Sequence, residues 1–101
     1  MAIKSFANQS TADLFEGLNT KASRQIPREI WKKAQRTLSM LQAATSTQDL
    51  SIPSLRIEPL KWDKPGYFSI RINLIYRVIF RFEEGNAHDV SVESYHGRNQ
   101  S

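Results

Sequence analysis

The stretch YRVIFRFEEGNAHDVSVESY, residues 76–95, decides how the chain folds. Apolar and polar residues alternate on both sides of Glu84-Gly85-Asn86, which predicts two antiparallel strands, Tyr76 to Phe82 and Asp89 to Tyr95, joined by a turn. With those three residues as a hairpin loop, Glu83 faces Ala87, and the register pairs Phe80 with Val90 and Val78 with Val92. The other face then sets Arg81 against Asp89 and Arg77 against Glu93. Apolar pairs on one side and opposite charges on the other support the same alignment.

Upstream, Leu55 to Pro59 and Tyr67 to Asn73 read as two further strands, and Lys64-Pro65-Gly66 fits the first three positions of a type II turn. A turn at Asn73-Leu74-Ile75 pairs Ile70 with Val78 and puts Arg71 opposite Arg77. Like charges in register repel, and Glu93 offsets only one of them. The excess charge either seats a phosphate or is relieved as the arginines splay into water or pair with Glu93. Lys61 and Lys64 lie just before the sheet, with Trp62, Tyr67 and Tyr76 as aromatics among these cations. Such interleaving holds single-stranded RNA, with bases on rings and phosphates on cations, although Trp62 serves equally as a lid on the core. At the end of the last strand, Tyr95 follows the polar parity and His96 the apolar one. Histidine's ordinary pKa of ~6.5 suits proton transfer near neutral pH when it lies outside the core.

The N-terminal half is helical in period. Ile3 and Phe6 suggest a brief strand; Ser10-Thr11-Ala12-Asp13 reads as an N-cap before a short helix carrying Leu14, Phe15 and Leu18, with Gly17 at its end. Asn19 to Ser23 reads as a loop. Pro27 opens a second helix, on which Ile30, Ala34, Leu38 and Leu41 form an apolar stripe widened by Trp31 and Ala44. Its other face carries Lys32, Lys33, Gln35, Arg36, Ser39 and Gln42, either a solvated face or a nucleic-acid contact. Ser46-Thr47-Gln48-Asp49 predicts one more helical turn. The expected fold is therefore α+β, with two N-terminal helices packed against a mostly antiparallel sheet.

A length of 101 residues with 40% hydrophobic content fits one domain, expected over residues 1–96 with a disordered tail at 97–101. No run approaches the ~20 apolar residues of a membrane span, and MAIKSFANQS lacks a secretion signal, so a cytoplasmic protein without a membrane partner is expected. Zero cysteines exclude disulfides, thiolate zinc sites and cysteine nucleophiles; two histidines are too few for a histidine metal cage. No metal or cofactor is expected. Fourteen Lys and Arg against ten Asp and Glu give a net charge of +4, which serves solubility or anionic partners such as nucleic acid.

Taken in order, these pieces resemble the HigB-type killer toxins of the RelE/ParE superfamily, from bacterial type II toxin-antitoxin modules. The resemblance runs through Ile3-Lys4-Ser5-Phe6, Leu14-Phe15, Leu41-Gln42-Ala43-Ala44-Thr45 and Asp49-Leu50. It continues through Arg56-Ile57-Glu58-Pro59-Leu60-Lys61, Gly66-Tyr67-Phe68-Ser69-Ile70-Arg71-Ile72-Asn73, Tyr76-Arg77-Val78-Ile79-Phe80-Arg81-Phe82 and Asp89-Val90 to Tyr95-His96. It implies a ribosome-dependent mRNA endonuclease that needs no metal and uses the RNA's own 2′-hydroxyl as nucleophile. The implied partners are the ribosome, mRNA and a cognate helix-turn-helix antitoxin that carries any contact with operator DNA.

By the same resemblance, His96 is a proton-transfer group, Tyr95 orients or stacks the RNA, Arg77 stabilises the transition-state phosphate, and Lys61 lies beside the scissile bond. Arg71, Lys64, Trp62 and Tyr67 are candidate RNA contacts. Glu58 stands where some members have histidine, and is either a general base or a structural partner for Lys61 or Arg56. Ser94 replaces an aspartate common before Tyr-His, and Ile75-Tyr76 replaces an Asn-Trp that often precedes the arginine. Two rivals remain at this stage: a toxin of the same fold that inhibits DNA gyrase, against which Tyr95-His96 and Arg77 argue, and a degenerate, non-catalytic RNA- or ribosome-binding protein.

Overall fold

The computed structural model describes residues 2–53, 55–60 and 66–94; the features expected at Lys61, Trp62, Lys64, Pro65, Tyr95, His96 and residues 97–101 lie outside them. Four antiparallel strands in spatial order β1-β2-β3-β4 form one sheet: β1 Glu58–Pro59, β2 Tyr67–Arg71, β3 Tyr76–Glu83 and β4 Asn86–Ser94. Two helices precede it, α1 Gln9–Phe15 and α2 Trp31–Ala43, with 3-10 turns at Ser23–Gln25, Arg28–Ile30 and Thr47–Leu50. The α+β class expected from the change of period is the one observed.

The far half of the β3–β4 ladder has the expected register, with Arg77 opposite Glu93 and Val78 opposite Val92. Near the turn the alignment differs by one residue. Glu83 faces Asn86, not Ala87, so the loop is Glu84-Gly85, with both residues at positive φ, 52 and 77, as a type I′ turn requires. A bulge between Ile79 and Arg81 absorbs the difference, and its extra residue is Asp89 at φ 51. Ser5 Oγ accepts the Asp89 amide at 2.9 Å, holding the bulge from outside. The bulge also explains the Arg81–Asp89 pair: His88 is the ladder partner of Arg81, yet Asp89 Oδ2 lies 3.4 Å from Arg81 Nε.

Between β2 and β3 the expected pairs Ile70–Val78 and Arg71–Arg77 are both present. Asn73 Oδ1 accepts the amides of Ile75 at 2.8 Å and Tyr76 at 2.7 Å, which reverses the chain. The strand expected over Leu55 to Pro59 is shorter, because Arg56 adopts φ 45 and breaks the extended run. Strand-like bonds flank the break, Arg71 N to Leu55 O at 2.7 Å and Leu60 N to Tyr67 O at 2.8 Å. Ile3 and Phe6 make parallel bridges to Ala87 and Val90 on the outer edge of β4.

The cap of α1 is Asn8, two residues earlier than expected, its side chain accepting from Thr11 N at 3.0 Å while Ser10 lies inside the helix. Gly17, at φ 78, ends the segment: Leu18 N bonds Asp13 O and Gly17 N bonds Leu14 O, a Schellman closure that leaves Leu18 outside the helix and half exposed.

The apolar stripe of α2 lies against β3 and β4. Ile30, Ala34, Leu38 and Leu41 are buried with Ile70, Val78, Phe80, Val90 and Val92. Thr11, fully buried on α1, accepts the Val92 amide at 2.9 Å, and Gln35 Nε2 donates to Leu14 O at 2.9 Å. These bonds lock both helices to one face of the sheet. Tyr76 shares the parity of Val78 and packs on this core, so it does not join the basic residues with which its sequence neighbourhood grouped it.

Candidate functional site

The face of the sheet away from the helices carries three cross-strand rows. Nearest the β3–β4 turn, Tyr67 faces Arg81, whose guanidinium bonds Asp89 and Glu83. Tyr67 donates its hydroxyl to the same Asp89 oxygen at 3.4 Å. Burial disfavours the Arg81 charge, but its hydrogen bonds to Glu83 and Asp89 outweigh that and raise its pKa above the ordinary value.

The middle row is buried: Ser69, Ile79 and Ser91 are 3%, 1% and 1% exposed. Glu58 on β1 lies opposite Ser69 and is exposed to solvent. The third row contains Arg71, Arg77 and Glu93 in direct register. Ser91 Oγ donates to Glu93 Oε2 at 2.7 Å, which fixes that carboxylate across from Arg77.

At the outer end of the third row, Arg56, Glu58, Arg71 and Leu74 line an open cleft of about 230 Å³. Leu74, 79% exposed, forms its rim. Glu58 makes no salt bridge with Arg56 or Arg71 among the described residues, so it is not the structural partner of Arg56 that its spacing also allowed. A solvent-facing carboxylate with two guanidiniums in one cleft has the components for removing a proton and holding an anion.

The structure thus brings together Glu58, Arg71 and Arg77 of the expected set, and places Tyr67 on the same face beside Arg81. His96, Tyr95, Lys61, Lys64 and Trp62 lie outside the described residues. Arg56 had appeared in the sequence only as a possible partner of Glu58. Its two-residue spacing from Glu58 was the available signal, but the left-handed backbone that carries it into the cleft had none. Among the described residues no group of three or more His, Asp or Glu could hold a metal ion.

Comparison with known proteins covers nearly the whole chain. The family model of a RelE-like toxin of the type II toxin-antitoxin system HigB matches residues 4–96. Endoribonuclease HigB of Proteus vulgaris is 31% identical over 94 residues, 93% of this chain and 99% of that protein. Toxin HigB-1 of Vibrio cholerae is 41% identical over 68 residues, 66% of this chain and 72% of that protein. Two solved structures share the fold. The YoeB dimer from Staphylococcus aureus matches with TM-score 0.55 and 23% identity over 95% of this chain and 97% of that one. A YoeB/ParE toxin from Agrobacterium tumefaciens matches with TM-score 0.52 and 19% identity over 94% and 99%.

Proposed function

The chain belongs to the RelE-like HigB toxins of type II toxin-antitoxin systems, and on that premise we propose that this endoribonuclease cuts mRNA on the translating ribosome at the Arg77 end of its polar sheet face. The observation that supports the location most is the placing of Glu58, Arg71 and Arg77 on one face with Glu93 fixed opposite Arg77.

Metal-free cleavage of RNA needs three services from a protein. The 2′-oxygen attacks phosphorus while the bond from phosphorus to the 5′-oxygen breaks, so one proton leaves the 2′-hydroxyl and another reaches the departing oxygen. Glu58 accepts the first proton and His96 supplies the second. Arg77 neutralises charge growing on the phosphate, aided by Arg71 across the ladder. Tyr95 orients the nucleotide, Lys61 adds positive charge beside the scissile bond, and Lys64, Trp62 and Tyr67 hold the neighbouring RNA. Tyr67, whose hydroxyl bonds Asp89, supplies an aromatic ring of the kind on which a base stacks.

Family membership implies an antitoxin partner. In the proposed arrangement that partner is a helix-turn-helix protein which alone touches operator DNA, and the toxin acts in the cytoplasm on ribosome-bound mRNA. Among the described residues no helix is long and apolar enough to cross a membrane.

Mapping mRNA ends after brief expression, with translation running and with it blocked, tests the proposal. Codon-linked cuts that appear only during translation are expected, with none from His96→Ala. Intact mRNA accompanied by gyrase-dependent DNA breaks overturns it.

A further inference from the structure

The exposed face of α2 is the sequence feature that the cleavage site leaves unused. Two of its polar residues have structural duties: Gln35 bonds Leu14 O, and Gln42 Oε1 accepts the Ile3 amide at 2.8 Å. The cations do not. Helix α2 carries Lys32, Lys33 and Arg36 with no acidic residue, and neither Lys33 nor Arg36 forms a salt bridge among the described residues.

Lys33, Arg36, Thr37 and Met40 recur at helical spacings of three, one and three, so they occupy one stripe. That stripe, with Leu55 and Arg71, walls a hollow of about 340 Å³. Arg71 also lines the cleft holding Glu58 and Arg56. One guanidinium therefore borders both hollows, and a basic path runs from Arg77 across Arg71 to Arg36 and Lys33. Among the described residues nothing acidic lines the α2 hollow, whereas the cleft on the other side of Arg71 contains Glu58.

We propose that this hollow holds the single-stranded mRNA backbone away from the scissile bond, with Lys33 and Arg36 each taking one phosphate. The inference rests on the nuclease reading above and extends it: the RNA turns at Arg71 from the reacting face to the helical face. Separating phosphate grip from chemistry in this way lets the Arg77 end act on the reacting phosphate while α2 contributes affinity independent of base identity.

The test uses the full chain, a fluorescent single-stranded RNA made uncleavable by 2′-O-methyl groups, and a salt titration. K33Q/R36Q is expected to flatten the log–log salt dependence by about 1.4, at ~0.7 per lost phosphate contact on a single strand. It should raise KM for translated mRNA with kcat unchanged. A K4Q/K21Q variant, which removes the same charge elsewhere, should keep the parental slope. An unchanged slope in K33Q/R36Q, or no salt-dependent binding by the parent, overturns the path even while the parent still cuts mRNA. Weaker binding to mRNA-free ribosomes with the oligonucleotide slope intact assigns the hollow to ribosomal RNA and overturns it too. Loss confined to the antitoxin complex does the same in favour of an acidic antitoxin segment. Failure of the parent to cut any mRNA is separate and strikes the nuclease reading itself.

Discussion

The two ends of the polar sheet face use the same residue types to opposite effect. At the turn end, Arg81 is enclosed by Glu83 and Asp89, so one cation meets two carboxylates. At the other end, among the described residues, Arg56, Arg71 and Arg77 are gathered near Glu58 and Glu93, and two of the arginines face each other in register. A cluster of paired charges holds a hairpin together, whereas guanidiniums gathered at an open cleft suit the proposed contact with an anion. The buried Ser69–Ile79–Ser91 row separates the two environments.

Exchanging the roles is the strongest way to break this comparison. Arg77→Ala should lower mRNA cleavage by about 10²–10³-fold, the cost of removing one preorganised charge-stabilising group, with thermal melting showing a folded protein. Arg81→Ala should keep cleavage close to the parental rate. Equal losses from the two substitutions would show that the ends are not functionally distinct.

A smaller effect sharpens the structural side. Asp89 holds the bulge at φ 51, where a β-branched residue is strained. Asp89→Val should therefore destabilise by about 1–3 kcal/mol in denaturant unfolding. Asp89→Asn should cost only a small part of that, because asparagine tolerates the left-handed region and keeps an acceptor for Tyr67.

The smallest effect concerns a carboxylate at neither end. Thr20 Oγ1 at 2.6 Å and Gln9 Nε2 at 2.7 Å hydrogen-bond Asp13 and hold its pKa below the ordinary 3.8. Because the folded-state value is the lower one, this stabilisation is complete above 3.8 and is lost as pH falls through the folded-state value. Asp13→Asn should shrink the acid-side slope of melting temperature against pH and leave cleavage at neutral pH unchanged.

Residue chemistry made the middle of the sheet legible and left its irregularities hidden. Arg77–Glu93 and Val78–Val92 were recoverable because charge and apolar patterns agree on one register. The bulge was not, since an extra residue at Asp89 leaves the downstream alternation intact while the turn contracts to Glu84-Gly85. Asn8 and Ser10 are both good caps, and only the position of the first helical turn chooses between them. The grouping of Tyr76 with Tyr67 came from neighbouring cations, although its parity with Val78 already assigned it to the core. Of the candidate site, the register made Arg71 opposite Arg77 legible, and resemblance alone singled out Glu58. The cleft that joins Arg56 to two of them depends on a backbone kink which no residue type announces.

The pairing of residues 3 and 6 with residues 87 and 90 also bears on when the protein comes into being. Ser5 anchors Asp89 across a separation of 84 residues, so this edge closes only once both segments have been made. Contacts of such sequence span close late and slow folding. Synthesis interrupted before β4 leaves Arg77 without Glu93 opposite it and leaves β3 paired with β2 alone. A chain made only as far as β3 therefore lacks the carboxylate that faces Arg77, a part of the arrangement on which the proposed cleavage rests.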